Sequence, residues 1–236
     1  MKKWLYVVIA AVCVLSLAVV GCAKKPAAPT KVTTLIFEDH WTATHPICKF
    51  SAPPWIAAVE QASKGRIKFE FHTGGEPVPS REALDACSKG TIDMLESACQ
   101  YHSGKIGIGD YFLLPKNFRT FKDLYDVWYK TDVGKITDKV YQEKYNLKCI
   151  GPSIFSGEGF IMSKKKIHHF SDFKGLKIRA AGGAVGEVIK ALGCSPVQLI
   201  GGEIYTGYQR GTVDGGILPP YCFQSYKLFE VASQWV

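Results

Sequence analysis

The chain has 236 residues, enough for one large domain or two smaller lobes. Its 29 Lys and Arg outnumber 21 Asp and Glu, for a formal charge of +8. Those basic residues are scattered, which argues against a nucleic-acid partner and leaves an anionic ligand, an anionic membrane surface or solubility as readings of the surplus.

Lys2 and Lys3 precede an apolar run from Trp4 to Val20, interrupted by Ser16. A membrane-spanning helix needs roughly 20 apolar residues and suitable flanks. This run is slightly short, starts almost at the initiator Met and ends in small residues, so residues 1–21 read as a signal peptide. Val19-Val20-Gly21-Cys22 resembles a bacterial lipobox, in which a diacylglycerol joins the Cys thiol and the chain is cut before it. That implies a lipid anchor on Cys22 and a periplasmic or cell-surface location on a bacterial membrane. Residues 22–31, polar and Pro-containing, suit a flexible leash. Export permits disulfides. The remaining Cys48, Cys87, Cys99, Cys149, Cys194 and Cys222 show no spacing that selects a pairing, and no Cys-x-x-Cys or Cys/His cluster suggests a metal.

From Val32 the pattern alternates strands and helices. Val32–Glu38 is β-rich and runs into Glu38-Asp39-His40-Trp41. Pro53-Pro54 opens a helix carrying Trp55, Ile56, Val59 and Ala62 at helical spacing. Ile67–His72 alternates as a half-buried strand, Ser80 caps a helix over Arg81–Lys89, and Ile92–Glu96 is a short strand leading to Tyr101. Ser103–Lys116 reads as a loop, followed by helices over Phe121–Lys130 and Val133–Tyr145. Leu147–Pro152 reads as a strand crossing out of a first lobe, residues 32–153.

A second β-α series fills residues 154–236. Its strands are Gly159–Ser163, Leu176–Arg179, Val197–Ile200 and Gly215–Leu218; its helices are Ala184–Leu192, Glu203–Arg210 and, opened by Pro219-Pro220, Tyr221–Ala232. The alternation predicts an α/β fold with largely parallel sheets. The restart after Leu147–Phe155 predicts two lobes. The sequence stops at Gln234-Trp235-Val236 directly after the last predicted helix, which suggests a truncated product.

No Gly-x-Ser-x-Gly, His-Glu-x-x-His or P-loop pattern is present. Gly182-Gly183-Ala184-Val185-Gly186 misses dinucleotide spacing, and His168-His169 sits on a polar, Lys-rich loop. Neither Glu96 nor Glu158 has an evident acid–base partner. An enzyme is not expected, nor a cofactor. The informative stretch is Gly175-Leu176-Lys177-Ile178-Arg179-Ala180-Ala181-Gly182-Gly183. Here a strand ends in an Arg beside a small-residue loop and a helix N-terminus, the crevice where α/β folds take ligands. A guanidinium there grips a carboxylate through two parallel hydrogen bonds.

The run from Ser171 to Gly193, containing Asp-Phe-Lys-Gly-Leu-Lys-Ile-Arg and Val-Ile-Lys-Ala-Leu-Gly, resembles the solute receptors of tripartite ATP-independent periplasmic (TRAP) transporters. So do Glu203–Gly215, Lys227–Val231, Gly74-Gly75, Ser80-Arg81-Glu82 and Gly90–Met94. The resemblance runs from about Thr34 to Val231. It implies a two-lobed periplasmic-binding-protein-like fold, with a central β-sheet in each lobe and a hinge between them. It also implies a receptor that closes on a small organic acid and delivers it to the membrane permease subunits. An alternative is a ligand sensor or a truncated, non-transporting binding protein.

By that resemblance Arg179 falls on the family's carboxylate-binding arginine, and Glu96 and Glu38–Trp41, His40 included, fall where the first lobe lines the cleft. Gly159 stands where many dicarboxylate and sugar-acid receptors have a second Arg, and Leu218 where they have Asn before Pro219. The family also normally continues well past Val236. Losing two polar grips favours a monocarboxylate, with Trp41, Tyr101, Leu218 and Tyr221 around its body and Glu158 nearby.

Overall fold

Two separate series of apolar, β-prone segments build two separate sheets. The computed structural model describes residues 31–113, 118–153, 157–162 and 165–235, so Cys22 and the signal segment lie outside the described residues. Both sheets belong to one compact unit, Thr34–Val236.

The first sheet has the order β2-β1-β3, from β1 (Thr33–Asp39), β2 (Ile67–Thr73) and β3 (Met94–Glu96). Burial deepens along β1, so Phe37, Glu38 and Asp39 are the buried end. β3 lies parallel to β1 and sets Asp39 opposite Glu96. Helix α1 (Ala52–Ala62) starts on its two prolines and lays Trp55 against Phe37 and Phe69, with ring centroids 5.9 and 5.5 Å apart. Helix α2 (Ala83–Ser88) packs Ala83 and Ala86 on Ile92. Helix α3 (Phe121–Lys130) opens on a Thr120–Asp123 capping box, and α4 (Val133–Tyr145) closes on Asn146 in the left-handed region at φ 53°.

The second sheet has the order β6-β5-β7-β4-β8. Its strands are β4 (Gly159–Met162), β5 (Lys177–Ala180), β6 (Ser195–Gln198), β7 (Gly215–Leu218) and β8 (Gln234–Trp235). Successive side chains point to opposite faces. Accordingly Ile161 joins Ile204, Tyr208 and Leu218 in one core, while Met162 joins Ile178, Ala180 and Ile189 in the other. Helix α6 (Gly201–Gln209) supplies Ile204 and Tyr208, and α5 (Gly183–Ala191) supplies Ile189. This lobe is therefore a three-layer α/β/α unit. β5 runs parallel to both β6 and β7, so the chain leaves β5 to one side and returns on the other. Arg179 stands near the carboxyl end of β5, at that switch point.

The two-lobed α/β architecture matches expectation; several local readings do not. Leu147–Pro152 forms no strand, because Gly151 and Pro152 interrupt it and Ile150 faces solvent. Ser103–Lys116 is not wholly loop: Gly107–Leu113 is 3-10 helical. Helix α7 spans only Cys222–Ser225, since Lys227 turns left-handed at φ 54° and drives Leu228 into the core. Gln234–Trp235 then pairs with β4 as a strand. β4 also runs antiparallel to both its neighbours, within an otherwise parallel sheet. Cys48, Cys87, Cys99, Cys149, Cys194 and Cys222 all carry free thiols.

Candidate functional site

Arg179 organises the site. In register it sits opposite Gly216 on β7 and Val197 on β6. A Cβ on Gly216 would lie 3.0 Å from Arg179 Cβ, so the bare glycine makes the space over which the arginine extends. Its Nε donates to Leu199 O at 3.0 Å and one Nη to Ile217 O at 3.0 Å, just beyond β6 and within β7. The other Nη donates to the Tyr101 hydroxyl at 2.8 Å. A guanidinium carries five N–H groups, so two remain unbonded among the described residues.

The Arg179 side chain is 3% exposed, and no carboxylate among the described residues comes within ion-pair distance of it. A buried cation paired only with neutral dipoles is costly, and an arriving anion relieves that cost. Glu158 is the acid that acts on it electrostatically. Protein atoms crowded around the Glu158 carboxyl push its pKa up, and Arg179 pulls it partly back.

Around Arg179 lies a tight cavity of about 20 Å³, lined by residues from both lobes. Of the residues expected from sequence, Trp41, Tyr101, Glu158, Arg179, Leu218 and Tyr221 line it. His45, Gln100 and Tyr226 also line it and were not expected. Short side-chain links join the lobes: Arg81 pairs with Glu203 at 2.9 Å, and Thr44 donates to Ser225 O at 3.0 Å.

Glu38, His40 and Glu96 lie outside this lining. The β1 register turns Glu38 and His40 into the first lobe, where they are 0% and 3% exposed. Both Glu38 oxygens and both His40 ring nitrogens lack a hydrogen-bond partner among the described residues. His40 is wedged between Trp41 and Tyr101, at centroid distances of 4.1 and 4.7 Å, and so supports two cavity residues from behind. Glu96 accepts from Ser153 Oγ. Among the described residues no group of His, Cys, Asp and Glu could hold a metal ion.

This layer under the site has opposed titrations. Burial pushes Glu38 up to about 7, and burial with neighbouring Glu96 pushes Asp39 up to about 7. Burial pulls His40 down to about 3, and His45 and His102 down to about 4. The raised carboxyls contribute stability that is full below their unfolded values and is lost as pH rises through about 7. The lowered histidines act the other way, because the unfolded chain binds their protons below about 6.5. Between roughly pH 4.5 and 6.5 the two trends oppose and each offsets part of the other. Asp39→Asn removes one falling contribution, and its unfolding free energy in urea is expected to climb more steeply with pH across this window than the parent's. A variant profile with the parent's slope would contradict the assignment.

Residues 37–236 match the family model described as bacterial extracellular solute-binding protein, family 7. A solute-binding protein of Albidiferax ferrireducens is 30% identical over 178 residues, 75% of this chain and 52% of that protein. The C4-dicarboxylate-binding periplasmic protein DctP of Rhodobacter capsulatus is 30% identical over 175 residues, 73% of this chain and 51% of that one. The chain thus spans about half the length of these curated relatives. Among solved structures, a marine metagenome TRAP solute binding protein in complex with pyroglutamate superposes with a TM-score of 0.79 at 20% identity. That match covers 87% of this chain and 66% of the other, and at that identity the likeness concerns the fold.

Proposed function

The chain belongs to the bacterial extracellular solute-binding proteins of family 7, the TRAP solute receptors, and from that premise we propose that it captures a small organic acid by its carboxylate outside the cytoplasm. The observation that carries this reading is Arg179: a buried guanidinium that, among the described residues, has no carboxylate partner and keeps two N–H groups unused beside a cavity between two lobes. Residues 32–153 and 154–236 act as the lobes that close on the ligand, with binding energy favouring the closed state. Trp41, Tyr101, Leu218 and Tyr221 enclose the acid's body, and Glu158 borders it. Glu38, His40 and Glu96 support the cavity wall from beneath. The loaded receptor delivers the acid to membrane permease subunits, and a lipid on Cys22 keeps it at the membrane. The intact mass of membrane-extracted protein tests the last point: an unmodified Cys22 excludes it.

The preferred ligand is a monocarboxylate. Leu218 is 2% exposed and Gly159 has no side chain, so neither offers a second anion a donor. A charge-assisted hydrogen bond contributes roughly 1.5–3 kcal/mol, so a second carboxylate without one binds poorly. A thermal-shift screen of organic acids on the full-length protein, followed by calorimetry, tests this. Monocarboxylates are expected to raise the melting point and to bind at least ~10-fold more tightly than succinate. Tight succinate binding with no monocarboxylate response would overturn the preference.

A further inference from the structure

The cavity wall holds a second polar group whose state the backbone decides. His45 is 1% exposed and stacks flat on Trp41, with centroids 4.9 Å apart and planes at 13°. Tyr221 meets it edge-on at 5.1 Å from the opposite lobe. The ring is therefore clamped between residues that themselves line the cavity. Its Nδ1 faces the Ile47 backbone N–H at 3.3 Å. A peptide N–H only donates, so Nδ1 must accept, and the ring proton resides on Nε2. Burial, which pulls the imidazole down to about 4, keeps it neutral at physiological pH. Nε2 lies on the ring edge away from Ile47, and no group among the described residues hydrogen-bonds to it.

We propose that His45 Nε2–H is a specificity-determining donor, reading an oxo or hydroxyl oxygen carried by the acid whose carboxylate Arg179 holds. This rests on the carboxylate reading above and deepens it: the ligand class narrows to oxygenated monocarboxylates. The geometry supports one neutral donor. A cationic imidazole would be a second anion site, whereas a neutral Nε2–H suits a neutral oxygen acceptor. A buried donor left unpaired is costly, so an acid lacking that oxygen is discriminated against. The ring stack ties the two grips together. Trp41 packs on both His45 and His40, and His40 packs on Tyr101, which accepts from Arg179.

Calorimetry with matched pairs tests this: lactate against propionate, 3-hydroxybutyrate against butyrate, and mandelate against phenylacetate. The parent protein is expected to prefer the oxygenated member of at least one pair by about tenfold. His45→Phe keeps a planar ring and removes the donor; it should abolish the preference, bringing the two members of the pair to within about threefold of each other. His45→Gln, which restores an N–H donor, should recover part of it. Nitrogen-15 shifts of the parent's imidazole provide a second readout that needs no variant, and an Nδ1–H tautomer would overturn the proposal. So would a preference that survives in His45→Phe, or equal binding within every pair. If Arg179→Lys leaves every acid's affinity unchanged, the carboxylate reading itself has failed. If Arg179→Lys weakens all acids equally while His45→Phe does nothing, only the His45 assignment has failed.

Discussion

Arg179→Lys is expected to weaken binding of the preferred acid by roughly 30- to 100-fold while leaving the fold intact. Arg179 engages three partners at once, Leu199 O, Ile217 O and the Tyr101 hydroxyl, and keeps two further N–H groups. Lysine retains the charge but presents a compact ammonium with three donors. It cannot satisfy two strand carbonyls and also grip a carboxylate through two parallel bonds. Loss of one charge-assisted bond accounts for about 1.5–3 kcal/mol, or roughly 13- to 160-fold, a span that contains the stated fold-change. The far-ultraviolet circular dichroism of the variant should match the parent's. Unchanged affinity in a titration would show that the guanidinium is a structural brace and not a ligand contact.

Gly216→Val should have the second largest effect, and on two readouts together. A Cβ at this position meets the Tyr208 hydroxyl at 2.9 Å and Arg179 Cβ at 3.0 Å. Tyr208 is held in place, 2% exposed and donating to Ile161 O at 2.8 Å, so it has little room to yield. Overpacking of a filled core costs typically 1–3 kcal/mol, and valine's branched carbon belongs at the upper end. The strain falls on the arginine's own stem, so acid binding should drop as well, by tenfold or more. Urea unfolding and calorimetry on the same preparation check both. A variant that loses stability but binds normally would mean that Gly216 serves packing alone.

Much of the frame was legible because local chemistry and tertiary packing agree there. β7 was anticipated over Gly215–Leu218, and α3 and α4 over Phe121–Lys130 and Val133–Tyr145, where Thr120 and Asn146 mark a start and a stop. The failures have equally local causes. The apolar residues of Leu147–Pro152 suggested a strand, but Gly151 and Pro152 prevent a ladder. The pattern of Tyr221–Ala232 suggested one helix, but a left-handed Lys227 breaks it so that Leu228 reaches the core.

Legibility of the site divides the same way. Arg179 could be found because a strand-end arginine before a glycine-rich turn has a chemical meaning by itself. Trp41 and Tyr101 follow β1 and β3, whose carboxyl ends can be located from sequence. His45, Gln100 and Tyr226 carried no such signal. The place of His45 in the cavity comes from Tyr221 in the opposite lobe and from one backbone N–H, and neither is visible in residue order. Conversely, Glu38 and His40 are expected at the cleft by resemblance, yet the pleat at the end of β1 turns both inward. Alternation alone does not say which of two neighbouring positions faces the cleft until the sheet's partners are known.

The central claim is that an organic acid enters this cavity carboxylate-first. The most direct measurement is a crystal structure of the protein with the strongest acid from the thermal-shift screen. One carboxylate is expected within hydrogen-bond distance of the Arg179 guanidinium, with the acid's body against Trp41 and Tyr221. An acid bound elsewhere, or one whose carboxylate turns away from Arg179, would contradict it.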